Sequence, residues 1–194
     1  LFREQGTGKL DYKIHNLNVY FWRWATWKAL GHSGATGIVS FITTSPYLTS
    51  PAFQGMRRWI RTNTTHAYVT DCTPEGHQPE VPTRLFPGVQ QPLAIMTLAS
   101  SPGVPDKSAT VHYRTIRGKQ VEKFASLNSD DDANSHWSIA PDEPTADFLK
   151  AGSDLWMSSP KLVDLFIYKH PGMKANRPWP NAPHPDVLLE RWQT

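Results

Sequence analysis

Leu17-Asn18-Val19-Tyr20-Phe21-Trp22-Arg23-Trp24-Ala25-Thr26-Trp27-Lys28-Ala29-Leu30, followed after a glycine-rich break by Gly37-Ile38-Val39-Ser40-Phe41-Ile42, is the passage that decides the fold class. In the first segment Leu17, Tyr20, Phe21, Trp24 and Trp27 stand at offsets 0, 3, 4, 7 and 10, so a helix gathers them on one side. Asn16 stands where a capping side chain belongs, and Gly31, Gly34 and Gly37 end the pattern. The aromatic side is expected to face a core, unless the segment that should cover it is absent, in which case some tryptophans are left exposed and adhesive. The second segment is a β-branched and aromatic run bounded by Gly37 and Pro46, the mark of a buried strand.

The same alternation continues downstream. Ser50 is an expected N-cap with Pro51 at the first helical position. In the helix that follows, Phe53, Met56 and Ile60 form an apolar side and Arg57, Arg58 and Arg61 a basic one. Residues 67–70, 93–98 and 109–116 read as three more strands. The last two flank a Gly/Pro turn at 101–108 and are expected to pair as an antiparallel hairpin. The order helix, strand, helix, strand, then hairpin predicts an α/β fold. From Lys119 onward the chain turns proline-rich and irregular, with short helical or apolar pieces at 121–127, 163–168 and 186–192. Two regions follow, 1–118 and 119–194.

Composition narrows the function classes. The 194 residues carry a formal net charge of +3, which permits a nucleic-acid partner without demanding one. Cys72 is the single cysteine, so an internal disulfide and a cysteine zinc site are both excluded, which fits a reducing cytoplasm. The sequence holds no apolar run near the roughly 20 residues of a membrane span, so no membrane partner is expected. The opening Leu1-Phe2-Arg3-Glu4-Gln5 has neither Met nor a signal pattern, and the chain is expected to start part-way through a longer protein.

The near-matches to catalytic motifs fall short. Gly6-Thr7-Gly8-Lys9 lacks the first glycine and the final Ser/Thr of a phosphate loop. Gly31-His32-Ser33-Gly34-Ala35 precedes a strand, where a nucleophile elbow follows one. Asn63-Thr64-Thr65 matches a glycosylation sequon without other signs of secretion, Asp130-Asp131-Asp132 reads as a solvated loop, and the eight histidines show no metal spacing. No catalytic residue and no metal site is assigned.

Several long stretches resemble the methyltransferase part of type ISP restriction-modification enzymes. Asn18-Val19-Tyr20-Phe21-Trp22-Arg23-Trp24-Ala25-Thr26-Trp27-Lys28 resembles the helix after that family's catalytic motif. Gly37-Ile38-Val39-Ser40-Phe41-Ile42-Thr43-Thr44 and Gly55-Met56-Arg57-Arg58 resemble its next strand and helix. Most specific is Thr73-Pro74-Glu75-Gly76 with Val81-Pro82-Thr83-Arg84-Leu85-Phe86-Pro87-Gly88-Val89-Gln90-Gln91-Pro92-Leu93-Ala94-Ile95. Pro171-Gly172-Met173-Lys174, Asn176-Arg177 and Trp179 are similar to the exit toward the target-recognition region.

The resemblance implies the rear half of a Rossmann-like methyltransferase sheet with a proline-rich tail. It implies a parent enzyme that transfers a methyl group from S-adenosylmethionine to the N6 amine of a flipped adenine in DNA. The family's Asn/Asp-Pro-Pro-Tyr/Phe motif is not in this chain, which has no Pro-Pro pair, and neither is its strand-plus-glycine cofactor loop. Catalysis and cofactor binding by this chain alone are therefore not expected. Ser45-Pro46-Tyr47, at a strand end, is a possible degenerate version of the motif.

Phe86, by position in the family pattern, is the residue placed against the target base, with Gln90 and Gln91 as possible base-edge or backbone contacts. The bland alternative is a Phe filling the sheet edge and two ordinary loop glutamines. Arg57, Arg58 and Arg61 are candidates for DNA phosphates, although the pattern favours a solvated helix face. Lys169, Lys174 and Arg177 invite the phosphate reading with less support. Expected partners are DNA and either the missing N-terminal half or a second copy. The competing reading is a non-enzymatic remnant acting as a small DNA-binding or dimerising module.

Overall fold

The computed structural model describes residues 10–31, 36–101, 109–129, 137–149, 158–160, 162–166, 182 and 184–193. It divides into two compact units, Leu1–Gly152 and Ser153–Thr194. The change of composition at Lys119 falls inside the first unit.

Helix α1 spans Leu17–Leu30. The Asn16 side chain caps it by accepting a hydrogen bond from the Val19 amide at 3.1 Å, satisfying one of the donors a helix start leaves open. At Gly31 a β-carbon would collide with the Trp27 carbonyl, so glycine is what lets the chain leave the helix there. Strand β1, Gly37–Thr44, follows. A 3₁₀ turn at Ser45–Leu48 and a second at Pro51–Phe53 lead into helix α2, Gln54–Asn63. Pro51 does open the helical stretch, but the Ser50 side chain makes no capping bond.

Strands β2 (His66–Asp71), β3 (Leu93–Ser100) and β4 (Thr110–Thr115) are followed by helix α3 (Gln120–Asn128) and the short β5 (Ser138–Ile139). Gly118 before α3 has φ +99, where a side chain is strained. The Glu122 carboxylate then accepts from the Lys119 amide at 2.6 Å and closes the helix start. The second unit contributes helices α4 (Leu162–Leu165) and α5 (Pro185–Gln193). No described helix is long and apolar enough to cross a membrane.

The five strands form one open sheet in the order β1-β3-β2-β4-β5, so the chain is α/β as its sequence predicts. β3 runs antiparallel to both β1 and β2, while β4 runs parallel to β2. The expected hairpin between β3 and β4 is therefore corrected, because β2 lies between them. A strand has two hydrogen-bonding edges, and those of β3 are filled by β1 and β2. β4 takes the free edge of β2, with the Ala109 amide donating to the Arg61 carbonyl and the Ile116 amide to Asp71 at its two ends.

One sheet face carries the core. Val39, Met96, Leu98, Ala67, Val69 and Val111 pack with Val19 and Trp22 of α1 and with Met56 and Ile60 of α2. Trp22 meets Phe41 edge-on at 5.0 Å, and its ring N–H donates to the Thr43 hydroxyl at 3.2 Å. The sequence expectation for α1 is overturned here. Its buried residues are Val19, Trp22, Thr26 and Leu30, and the stripe of Leu17, Tyr20, Phe21, Trp24 and Trp27 is exposed. A smaller apolar cluster of Cys72, Leu85, Leu93 and Ile116, with Val89 and Leu127 against it, lies at the end of the sheet where β2 and β4 finish.

Candidate nucleic-acid interface

β1, β2 and β4 run the same way, so their carboxyl ends lie together at one end of the sheet. In open α/β sheets that end is where ligands bind. The 72–92 segment, which joins β2 to β3, begins and ends there. The Cys72 amide donates to the Leu93 carbonyl at 3.0 Å and the Ser45 amide to Pro92 at 2.9 Å. Two sequence candidates are thereby brought to the same edge: Phe86 with Gln90 and Gln91, and the Ser45-Pro46-Tyr47 turn.

The segment has little regular structure but many internal bonds. The Gln78 amide donates to the Gln90 carbonyl at 2.9 Å, closing the segment on itself, with Gln78 in the left-handed region at φ 55. The Arg84 guanidinium donates to the carbonyls of Pro79 at 2.8 Å and Pro87 at 3.3 Å. The Val89 amide donates to the Phe86 carbonyl. Leu85 is buried in the small cluster, whereas its neighbour Phe86 is 41% exposed. An inward leucine followed by an outward phenylalanine presents the aromatic ring to solvent. Gln90 and Gln91 are exposed on the same segment.

Ser45-Pro46-Tyr47 is placed differently from the sequence expectation. It forms a 3₁₀ turn, and Tyr47 is 2% exposed, with its ring 6.2 Å from that of Trp22. Burial pushes its hydroxyl well above the ordinary tyrosine range, with the Thr43 hydroxyl working the other way. An aromatic ring held in the core does not present its face to an incoming base.

On the basic side of α2, Arg57 and Arg61 do not form the solvated face the sequence suggests. Arg57 and Arg61 are each 1% exposed, and Arg58 is half-buried. Arg57 pairs with the Asp147 carboxylate at 3.0 Å and donates to the carbonyls of Thr145, Tyr47 and Ser50. Arg61 donates to the carbonyls of Pro141, Pro144, Ala146 and Asp147, and its guanidinium lies 4.8 Å from the Phe148 ring centroid. Burial lowers Arg61 to about 10, as does Arg57, against the opposing pull of Asp142, Asp147 and Glu143, so it stays charged at neutral pH. Both arginines bind this chain's own 141–147 segment and are almost wholly buried. Lys169, Lys174 and Arg177 lie outside the described residues.

Sequence reasoning missed what holds the 72–92 segment down. The Gln120 side chain donates to the Leu85 carbonyl at 2.9 Å. Lys123, 0% exposed, bonds the Glu75 carboxylate at 3.0 Å and the Thr83 carbonyl at 2.8 Å. No local spacing marks these two residues, because their partners lie 35 to 48 residues away. On the outward face of α1, Tyr20, Arg23, Trp24 and Trp27 line a surface groove.

No family model and no curated protein sequence matches the chain. Solved structures do match in fold. The type ISP restriction-modification enzyme LlaBIII bound to DNA is similar over 79% of this chain, at 17% identity and a TM-score of 0.63. A nuclease-deletion mutant of the type ISP enzyme LlaGI, in complex with a DNA substrate mimic, is similar over 75%, at 20% identity and a TM-score of 0.61. DrdV in a DNA complex is similar over 74%, at 19% identity and a TM-score of 0.58. The chain spans only 14%, 11% and 14% of the lengths of DrdV, LlaBIII and LlaGI.

Proposed function

We propose that this chain is the target-base and DNA-contacting part of an S-adenosylmethionine-dependent, adenine-N6 DNA methyltransferase of a restriction-modification system. The observation that carries the reading is Phe86, an exposed aromatic ring on a tightly bonded segment at the carboxyl end of the parallel strands. The similarity in fold to enzymes solved with DNA supports it. On this reading the Phe86 ring stacks on an unpaired adenine, and Gln90 and Gln91 donate to or accept from the base edge or the adjoining backbone. Stacking needs only the π-face of the base, so it works before any sequence-specific contact is made.

The cofactor belongs to the same reading at the level of the whole enzyme. The glycine loop and the Pro-Pro motif that serve S-adenosylmethionine and the amine in that family are not in this sequence. Methyl transfer is therefore proposed of the larger enzyme, with this chain supplying the base contact.

The test is fluorescence anisotropy of the purified chain with a labelled adenine-rich single strand, comparing the wild type with Phe86→Ala. Loss of one base–aromatic stack is worth about 1–3 kcal/mol, or about 5- to 150-fold in affinity. Equal affinity for the two proteins would remove Phe86 from the site. Titration calorimetry with S-adenosylmethionine provides the companion measurement. No heat is expected from this chain alone, and clear micromolar binding would return the cofactor site to these residues.

A further inference from the structure

We propose that Lys123 is a positioning residue for the Phe86 base contact, acting from beneath through the backbone of the 72–92 segment. The inference rests on the reading of Phe86 given above and extends it to the residue that sets the ring's place.

A fully buried ammonium is costly unless its donors are satisfied, and an apolar side chain of similar size generally serves a helix–sheet contact as well or better. Lys123 nonetheless occupies such a place on α3, with no exposed surface. Its amine bonds the Glu75 carboxylate near one end of the segment and the Thr83 carbonyl near the middle. Gln120, one turn earlier on the same helix face, bonds the Leu85 carbonyl. Three points of the segment, at 75, 83 and 85, are thereby tied to one short helix, and the last adjoins Phe86.

The geometry also explains why charge is useful here. Leu85 supplies only an apolar plug, and apolar contacts tolerate sliding. Hydrogen bonds from a cation to a carboxylate and a carbonyl fix direction as well as distance. Between them they set the height and the rotation of the strand of chain that ends in Phe86.

The experiment uses the full chain with Lys123→Met, which keeps the stem and removes the cation, and Glu75→Gln, which keeps an acceptor and weakens the ion pair. Hydrogen–deuterium exchange is measured over 79–91 and, as an internal reference, over β2 and β3. Faster exchange confined to 79–91 in Lys123→Met, with a smaller increase in Glu75→Gln, is expected. Unchanged exchange there would overturn the clamp. If Lys123→Met fails to fold, Glu75→Gln alone decides, since loss of the ion pair must still loosen 79–91.

Affinity for the adenine-rich strand is then measured for Lys123→Met, Phe86→Ala and the double variant. If Lys123 acts through Phe86, Lys123→Met weakens binding several-fold in the wild type and has no further effect once Phe86 is gone. Additive losses would overturn the positioning role, because a merely structural residue weakens binding whether or not the ring is present. If Phe86→Ala binds as the wild type does, the stacking reading falls and the positioning role with it, while the exchange data still report whether the clamp exists.

Discussion

On α1, Leu17, Tyr20, Phe21, Trp24 and Trp27 face outward, whereas on α2, Arg57 and Arg61 are almost wholly buried. The two helices lie one after the other in the chain and serve the same sheet, yet each reverses the sorting that side-chain polarity suggests. The reversal on α2 is explained by the groups its arginines meet. Arg61 alone meets four carbonyls and an aromatic face, so its charge is solvated by backbone dipoles in place of water. On α1, Trp22 and Val19 fill the interface with the sheet, and the larger stripe faces outward. The pair shows that helical spacing tells which side chains share a face, not which face meets the core.

The largest expected effects come from removing the inward members of each helix. Arg61→Met should destabilise the fold by about 3–5 kcal/mol, because four carbonyls lose their donor inside the protein. Trp22→Ala should cost a similar amount, about 3–5 kcal/mol, by emptying a core position. Urea denaturation checks both. A loss under about 1 kcal/mol for Arg61→Met would mean that the arginine is solvated in solution, and the phosphate role would reopen.

A smaller effect, with a definite sign, is expected at Asp71, beside the cluster under the 72–92 segment. Burial raises its carboxyl above the usual value of 3.8, the Thr73 amide opposes the rise, Glu75 adds to it, and Lys123 and Arg117 oppose it. A carboxyl raised in the folded state takes up its proton there before the unfolded chain does. As pH falls through the raised value toward 3.8, this group therefore adds stability, and at neutral pH its buried charge costs stability. Asp71→Asn keeps an acceptor for the Thr73 amide and removes the charge. The variant should be more stable than the wild type at pH 7, with the difference shrinking as pH falls through the raised value. Asp147 is shifted the same way, mainly by its partial burial, and leaves a pH dependence of the same sign in both proteins. A pH-independent difference between the two would show that Asp71 is ionised as easily in the fold as out of it.

Elements were legible in the sequence where their causes are local. Asn16 capping Val19, Gly31 at the helix end, and the short strand-forming runs of β2 and β4 act over a few residues, and those boundaries fall within a residue or two of the reading. Strand order was not legible. Whether β4 pairs with β3 or β2 depends on which edges remain free, and β2 is distant in sequence from β4. The arginines were misplaced for the same reason, since their acceptors lie 80 to 88 residues away, apart from Tyr47 and Ser50. For the candidate interface, the segment's wording drew attention to Phe86, and its exposure follows from Leu85 being the residue that plugs the cluster. Lys123 gave no sign, because a lysine on a short amphipathic helix ordinarily points to water.

The smallest effect on stability, and the sharpest test of the comparison, is at the outward face of α1. Trp24 and Trp27 are 58% and 46% exposed, so replacing both by Ser should change folding stability by only about 0.5 kcal/mol per site. Trp22, two residues before Trp24, provides the internal contrast. If the exposed stripe is a contact surface, the double variant should instead lose self-association or binding of an apolar dye, measured by light scattering and by dye fluorescence. A double variant as unstable as Trp22→Ala would show that the stripe packs against this same chain, and the contrast between α1 and α2 would reduce to the buried arginines.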